Sequence, residues 1–442
     1  NDLLTATESD EEFGDNNEEI EPADIAKELV KHYKLKAIRE NDHPIYRYID
    51  EGENEGIWVR AEIWLAEIVK RHYRYTSRRE FEEILFSIWT MESVGVERGQ
   101  FDSDPWMLHF NNGWYNLKTR KFEPHNANSH NMLSMSKSKV DYNPDAKCPA
   151  TDTVLDMTLS KANKDLYLKV TGYCFLPTYA FKKAFVFLGP PDSLKTTLKE
   201  HIGNLVGWNN VSAVAWNDFD KPYMSADLYG KMVNLSSEFS RNNLLDTRVF
   251  KQLTGDDSIT ARKIRESPIT FKNRAKLITA VNDMPEFKGV DEAIVKRIIV
   301  IDFDRQFREG EVPNELLEKM KSPDELSGLL NLALNALHQV MDDNGFNELD
   351  LEEKIAEYNE RTSQLHDFVQ DRCDIEPLAN VPSKQLIGAY NGYCREKGIR
   401  PLSDGRFGEE LLAVYENKGV IKDRQRIKGK PTYFYRGIKL KE

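Results

Sequence analysis

Acidic positions dominate the start of the chain, and regular apolar spacing begins only at Ile25. From there Ile25, Leu29, Val30 and Tyr33 share one face of a helix predicted over Ala26–Ile38. Short strand-like stretches follow at Ile45–Ile49 and Ile57–Arg60, then two helical segments near Ala61–Arg71 and Arg79–Met91. Met107–Phe110 and Trp114–Leu117 flank Asn111-Asn112-Gly113, a hairpin signal. The Asn/Pro/Asp-rich stretch Asp141–Pro149 marks a boundary.

Beyond it the pattern changes. Helices predicted at Thr151–Leu159 and Asn163–Cys174 precede a compact apolar run, Ala184–Leu188, short and rich in aromatic residues as a buried parallel strand should be. Similar runs recur at Val211–Trp216, Met232–Leu235, Lys276–Val281 and Arg297–Phe303, with helical segments between several of them, so the expected class is α/β with a parallel sheet. Ser322-Pro323-Asp324-Glu325 reads as a capping box opening a Leu-rich helix to Val340, and a second helix is predicted over Leu349–Cys373. The end of the chain reads helix (Ser383–Lys397), helix (Asp404–Tyr415), then strands near Val420–Ile427 and Thr432–Leu440, the order of a winged helix-turn-helix.

Composition narrows the class. At 442 residues, 40% hydrophobic and 10% aromatic, the chain can build about three ordinary cores, which excludes disordered and collagen-like classes. Cys148, Cys174, Cys373 and Cys394 form no CxxC pair, which argues against a zinc or disulfide framework and for an intracellular, reducing compartment. No apolar run approaches membrane-spanning length. The chain starts with Asn, as a fragment of a longer protein would. The net charge of −12 disfavours nucleic acid only on its face. Ten acids and no Lys or Arg stand in residues 1–24, a solvated linker, whereas residues 418–442 carry nine Lys or Arg against Asp423 and Glu442.

The candidate chemistry follows Ala184–Leu188 directly. Gly189-Pro190-Pro191-Asp192-Ser193-Leu194-Lys195-Thr196-Thr197 fits GxxxxGK[ST] except at its second glycine. In such a loop, backbone N–H groups and a helix N-terminus surround the phosphates of a nucleotide. Lys195 would reach the terminal phosphates and Thr196 would ligate Mg²⁺. Leu194 holds a position that commonly needs φ > 0, a cost of about 1–2 kcal/mol for a non-glycine residue. Such strain is stored at functional sites and equally fits a weakened ATPase.

Met232–Glu238 is an apolar strand ending in a carboxylate, so Glu238 suits the base that polarises water and helps hold Mg²⁺; Ser237 stands where many such ATPases have Asp. Asn282 ends the run Lys276–Asn282 as a γ-phosphate sensor, although an Asn before Asp-Met-Pro is by itself a turn residue. Arg297 opens the last strand, suited to act in trans on a neighbouring subunit's nucleotide. Ser258–Arg262 and Pro268–Lys272 are strand-like about a basic turn, so Arg262, Lys263 and Arg265 would grip the backbone of a single strand.

In this order the motifs resemble a superfamily 3 helicase of the viral, phage and plasmid primase-helicase type. Phe110–Phe122 and Tyr142–Pro149 resemble its N-terminal associated region; Gly189–Thr197, Leu235–Phe239, Leu253–Arg262, Ala280–Pro285 and Val295–Phe303 its core; Leu365–Cys373 and Tyr390–Gly408 its winged-helix end. The resemblance implies an AAA+ fold with a mainly helical N-terminal domain, ATP and Mg²⁺ dependence, a hexameric ring and 3′→5′ movement on single-stranded DNA. A primase module is expected upstream rather than here, because the paired acids of Val300–Asp304 read as the end of a core strand. The expected division is an acidic linker over 1–24, an N-terminal associated domain over 25–145, the motor over 146–345, and a connector with a winged helix contacting duplex DNA over 346–442. Two other classes stay open. One is a DNA-binding replication initiator with a switch-like nucleotide site, to which Leu194 and the basic tail point. The other is a packaging ATPase, disfavoured because those pair Asp with Glu at the strand tip.

Overall fold

The computed structural model describes residues 20–39, 43–52, 54–73, 76–126, 128–237, 246–262, 268–285, 287, 291–427 and 430–441. The acidic start up to residue 19 lies outside them. The described residues form two compact units, those within 1–238, 248–280 and 299–346 and those within 239–247, 281–298 and 347–442.

In chain order the first elements are α1 (Pro22–His32), β1 (Leu35–Ile38), β2 (Ile45–Tyr48), β3 (Trp58–Arg60), α2 (Glu62–His72), α3 (Arg78–Thr90) and β4 (Gly95–Val96). The expected helix over Ala26–Ile38 is therefore shorter. Helical spacing loses at Leu35 because Leu35 and Ala37 pair with Arg47 and Ile45 in an antiparallel ladder, which buries both residues. Ser77 starts α3 with a complete capping box to Glu80. The sheet order β3-β2-β1-β4, with α1 to α3, makes this region mixed rather than mainly helical. Next, β5 (Met107–Phe110), β6 (Gly113–Asn116) and β7 (Lys121–Pro124) form a second small antiparallel sheet around the expected hairpin.

The main layer follows: α4 (Pro149–Thr158), α5 (Lys161–Tyr173), β8 (Ala184–Leu188), α6 (Lys195–Val206), β9 (Val211–Ser212), α7 (Pro222–Ser225), β10 (Val233–Ser237), α8 (Thr247–Leu253), β11 (Ser258–Ala261), β12 (Ile269–Lys272), β13 (Lys276–Val281), α9 (Glu292–Val295), β14 (Ile298–Asp302), α10 (Asn314–Lys319) and α11 (Pro323–Asp342). Five strands build one sheet in the order β14-β8-β13-β10-β9, with β10 parallel to both neighbours. This is the expected α/β class. β11 and β12 stand apart as an antiparallel hairpin.

Two buried charges hold this layer together. Expected to cap its own helix, Glu325 does not do so, and Ser322 makes no side-chain cap. The Glu325 carboxylate is buried and accepts from the N–H groups of Ala150 (3.0 Å) and Thr151 (2.9 Å), so it caps α4 instead. It is drawn across because Gly328, one turn along α11, meets the backbone at Lys147–Cys148, where a Cβ would come within 2.3 Å. Lys276, at the start of β13, is fully buried. Its ammonium donates to Leu176 O (2.6 Å) and Arg274 O (2.7 Å) and lies 4.7 and 4.9 Å from the ring centroids of Tyr173 and Tyr179. Burial pushes its pKa down to about 7.

The second unit adds α12 (Leu351–Thr362), α13 (Gln364–Arg372), β15 (Cys373–Pro382), α14 (Ser383–Lys397), α15 (Asp404–Tyr415), β16 (Ile421–Ile427) and β17 (Lys430–Leu440). The long helix expected over Leu349–Cys373 is broken at Ser363, whose hydroxyl accepts from Leu365 N and restarts the helix as α13. Cys373–Pro382, unassigned from sequence, joins the terminal hairpin in the sheet order β15-β17-β16. Lys354 donates to Ile298 O (3.0 Å) and Tyr358 to Pro285 O (2.9 Å), tying α12 to the segment that carries α9.

Glu325→Ala leaves two buried helix N–H groups without their acceptor, so it should cost about 3 kcal/mol in urea unfolding. Lys276 gives a pH signature. Its folded pKa lies below the unfolded value of about 10.4, so the unfolded chain binds more protons between pH 7 and 10 and stability rises across that window. Lys276→Met should remove that component of the slope, read as the difference in melting temperature against pH.

Candidate functional site

The loop after β8 is fixed from outside. Phe303, just past β14, donates its N–H to Leu188 O (2.8 Å), and Phe307 N–H reaches Asp192 O (2.9 Å). Gly189 sits under this crossing: a Cβ there would lie 2.4 Å from Phe303 O, which only glycine avoids. Asp192 (φ 58°) and Leu194 (φ 62°, ψ 7°) adopt left-handed backbone, and Leu194 leads directly into α6. The Leu194 side chain packs against the main core, so apolar burial offsets part of its backbone strain. Buried Leu198, Ile202 and Leu205 seat α6, and Tyr167 donates to Leu198 O (3.0 Å).

Within this frame Lys195 is buried and donates to Pro190 O (2.7 Å), closing the loop on itself. Thr196 is exposed in the first turn of α6, while Pro190 and Thr197 are half-buried and Pro191 is exposed. The Ser193 hydroxyl is buried and has no hydrogen-bond partner among the described residues. The first turns of α6 therefore present N–H groups, a hydroxyl and an ammonium at one loop, a set suited to an anion.

Sequence reasoning missed Lys199. It follows Lys195 by one helical turn and is buried, with Nζ bonded to Ser236 O (3.0 Å) and to the Ser237 hydroxyl at the tip of β10. Burial lowers its pKa, and the nearby Glu200 opposes that shift. An ammonium thus stands beside the strand tip where a serine replaces the expected aspartate. The i, i+4 spacing of the two lysines was the available signal.

Glu238, Lys263 and Arg265 lie outside the described residues. Asn282, directly after β13, is exposed. Arg297 donates from Nη1 to Ala293 O (2.6 Å) within its own unit. Arg262 is exposed at the end of β11; it donates to the Tyr223 hydroxyl (3.0 Å), and its guanidinium lies 5.6 Å from that ring. Among the described residues no group of three His, Cys, Asp or Glu could hold a metal, and no helix is long and apolar enough to cross a membrane.

Comparison with known proteins adds a separate line. Residues 16–160 match the family described as D5 N terminal like, and residues 187–297 match a family of unknown function (DUF5906). The chain is similar to a Sputnik virophage protein named "Putative helicase V13", 28% identical over 276 residues, 57% of this chain and 31% of that protein. It is also similar to "Primase D5" of fowlpox virus, 26% identical over 238 residues, 49% of this chain and 30% of that protein. The chain spans about a third of the length of these relatives, which are viral proteins named for helicase and primase. A solved structure of the NrS-1 C terminal region in its apo A form aligns at a TM-score of 0.48 and 13% identity, covering 95% of this chain and 100% of that one.

The loop geometry predicts opposite tolerances at its two ends. Leu194→Gly trades lost burial for relieved strain and should stay within about 1 kcal/mol of the parent, whereas Leu194→Val, β-branched at positive φ, should cost more than about 1 kcal/mol. Gly189→Ala should cost about 2 kcal/mol or more through the clash with Phe303 O. Urea unfolding of the three variants checks the ranking.

Proposed function

We propose that the chain is the motor part of an ATP-driven DNA helicase of a viral, phage or plasmid replication system, working inside the host cell. The observation that carries this reading is the strand–loop–helix at 184–206, in which Leu194 adopts the left-handed backbone that a glycine would otherwise supply. Support comes from the parallel sheet around that strand, the β11–β12 hairpin with its basic flank, and the names of the viral relatives. In this reading the sheet layer is an AAA+ motor that assembles as a hexameric ring and moves 3′→5′ on single-stranded DNA. Residues 346–442 carry a winged helix for duplex DNA, and a primase module belongs to a longer polypeptide.

The residues divide the work as follows. In the loop 189–197 the backbone N–H groups of Gly189 and of Asp192 to Thr197, with the N-terminus of α6, hold the phosphates of ATP, while Pro190 and Pro191, which have no N–H, shape the loop; Lys195 turns from Pro190 O to a terminal phosphate oxygen. Thr196, exposed in the first turn, would hold Mg²⁺, helped by Glu238, and the ion would neutralise phosphate charge. Glu238 takes the proton of the attacking water, Asn282 senses the γ-phosphate, and Arg297 acts on the next subunit's nucleotide. Lys199 braces the β10 tip that carries Ser237 and leads to Glu238. Arg262, Lys263 and Arg265 contact the translocating strand.

A second reading is a replication initiator whose nucleotide site is a switch. The strained Leu194 and the self-closed Lys195–Pro190 contact favour it.

ATP hydrolysis by the purified chain, with and without single-stranded DNA, separates the two. DNA-stimulated turnover should fall about 100-fold or more in Lys195→Ala. Glu238→Gln should keep ATP binding and lose about 10²–10⁴-fold in turnover. Sequence-specific duplex binding with no turnover in the parent chain would replace the motor with the switch.

A further inference from the structure

Resting on the reading of residues 346–442 as a winged helix for duplex DNA, we propose that the outer β16–β17 ribbon enters the major groove through Lys422, Arg424 and Tyr433, and that α15 stays outside it. The ribbon stands clear of its own sheet. β15 pairs with β17 between Phe434 and Leu440, whereas β16 and β17 pair on to Ile427 and Lys430. Residues 424–427 and 430–433 therefore pair only with each other among the described residues. A free two-stranded ribbon of this kind fits a major groove about 12 Å wide.

Register fixes which side chains share a face. Lys422 stands opposite Tyr435 and Arg424 opposite Tyr433, so all four lie on one side of the ribbon. Tyr435 is buried in the core of this unit, while Lys422, Arg424 and Tyr433 are exposed. Lys422 Nζ lies 5.4 Å from the Tyr433 ring centroid, and the Arg424 guanidinium lies 5.8 Å from it. Neighbouring cations are already paired: Arg436 with Asp423, Lys418 with Glu360 and Lys439 with Glu376, each at 2.6 Å. Among the described residues Lys422 and Arg424 meet an aromatic ring and no carboxylate, so turning to a phosphate breaks no ion pair. The Tyr433 hydroxyl adds a further donor for a phosphate or a base edge.

Charge separates the ribbon from the helix beside it. Residues 421–433 carry Lys422, Arg424, Arg426, Lys428 and Lys430 against Asp423, which Arg436 already neutralises. In contrast, α15 carries Asp404, Glu409 and Glu410 against Arg406, and Asp404 and Glu409 are exposed. Entering a groove would bring those carboxylates toward the phosphates along its edges, which opposes the docking mode of a recognition helix. Instead α15 supports the ribbon. Its Gly408 lies against the Tyr435 hydroxyl, which a Cβ would approach to 2.8 Å. The ribbon thus combines a free two-stranded shape, an unpaired positive face and a rigid base, and duplex DNA is the partner that matches all three.

The test is fluorescence anisotropy of the full chain on a labelled duplex of about 20 base pairs and on one of its single strands, between about 50 and 200 mM salt. The parent should bind the duplex, and the slope of log affinity against log salt should fall by about 1 in Lys422→Gln and in Arg424→Gln. The double variant should bind the duplex about tenfold more weakly, and Tyr433→Ala about fivefold more weakly. On α15, Gly405→Ala and Arg406→Ala should stay within about twofold of the parent. Methyl green, which occupies the major groove, should displace the chain, and netropsin, which occupies the minor groove, should not. The proposal is overturned if the ribbon variants bind duplex like the parent, if the α15 variants lose as much as the double variant, if netropsin alone displaces the chain, or if the loss falls on the single strand instead. A parent that binds no duplex removes the winged-helix reading as well, whereas a parent that binds it with unaffected ribbon variants removes only this proposal. All the substituted positions are exposed, so the variants should fold, and melting curves check that they do.

Discussion

The backbone of Phe303 passes so close to Gly189 that the loop after β8 cannot take its shape until β14 is in place. The contacts that define the loop are supplied by residues more than a hundred positions away: Phe303 to Leu188, and Phe307 to Asp192. This external framing explains how a leucine can occupy a left-handed position. The loop is not free to relax toward ordinary φ values, and the leucine side chain recovers part of the cost by packing on the core beneath it. The same frame aims the first turn of α6, so anything the loop binds is positioned by the sheet and not by the flexibility of the loop.

Three buried charges share one logic. Glu325 is met by two amide N–H groups, Lys276 by two carbonyls and two aromatic faces, and Lys199 by a carbonyl and a hydroxyl. None of these contacts is an opposite charge. Backbone dipoles are fixed by secondary structure, so a charge satisfied by them locks one element to another at a defined register. The contrast is with exposed pairs such as Arg78–Glu82 on α3, where solvent screening leaves little net stabilisation. The order of the main layer therefore rests on a few interior ties, while most surface charge is free to serve solubility or binding.

Much of this was legible in the residue pattern. The apolar runs of β8, β13 and β14, the hairpin at Asn111–Gly113, and helices α14 and α15 follow directly from periodicity, turn chemistry and capping. The failures had identifiable causes. Leu35–Ile38 carries helical spacing but was claimed by strand pairing, and Ser363 splits an apolar repeat that runs on across it. Glu325 sits at the right spacing for a local cap, yet the close approach of Gly328 to another segment redirects it, and no local rule contains that contact. Within the candidate site, the loop could be read from its glycine, lysine and threonine. The i, i+4 spacing of Lys199 from Lys195 was visible too, but not its role, because its partner Ser237 is 38 residues away and only the fold brings them together.

The strand order has a consequence for biosynthesis. β8 lies between β14 and β13, neither of which has been made when Ala184–Leu188 leaves the ribosome. At about 5–20 residues per second, the 93 residues from Leu188 to the end of β13 take roughly 5–19 s to appear, and β14 follows later still. For that interval an apolar, aromatic segment with strong strand character has no edge to pair with, the condition under which nascent chains collapse onto one another or are captured by chaperones. A protein made in this order depends on the cell's folding machinery before its central sheet can close, and slowing translation upstream of residue 300 would lengthen its most vulnerable state.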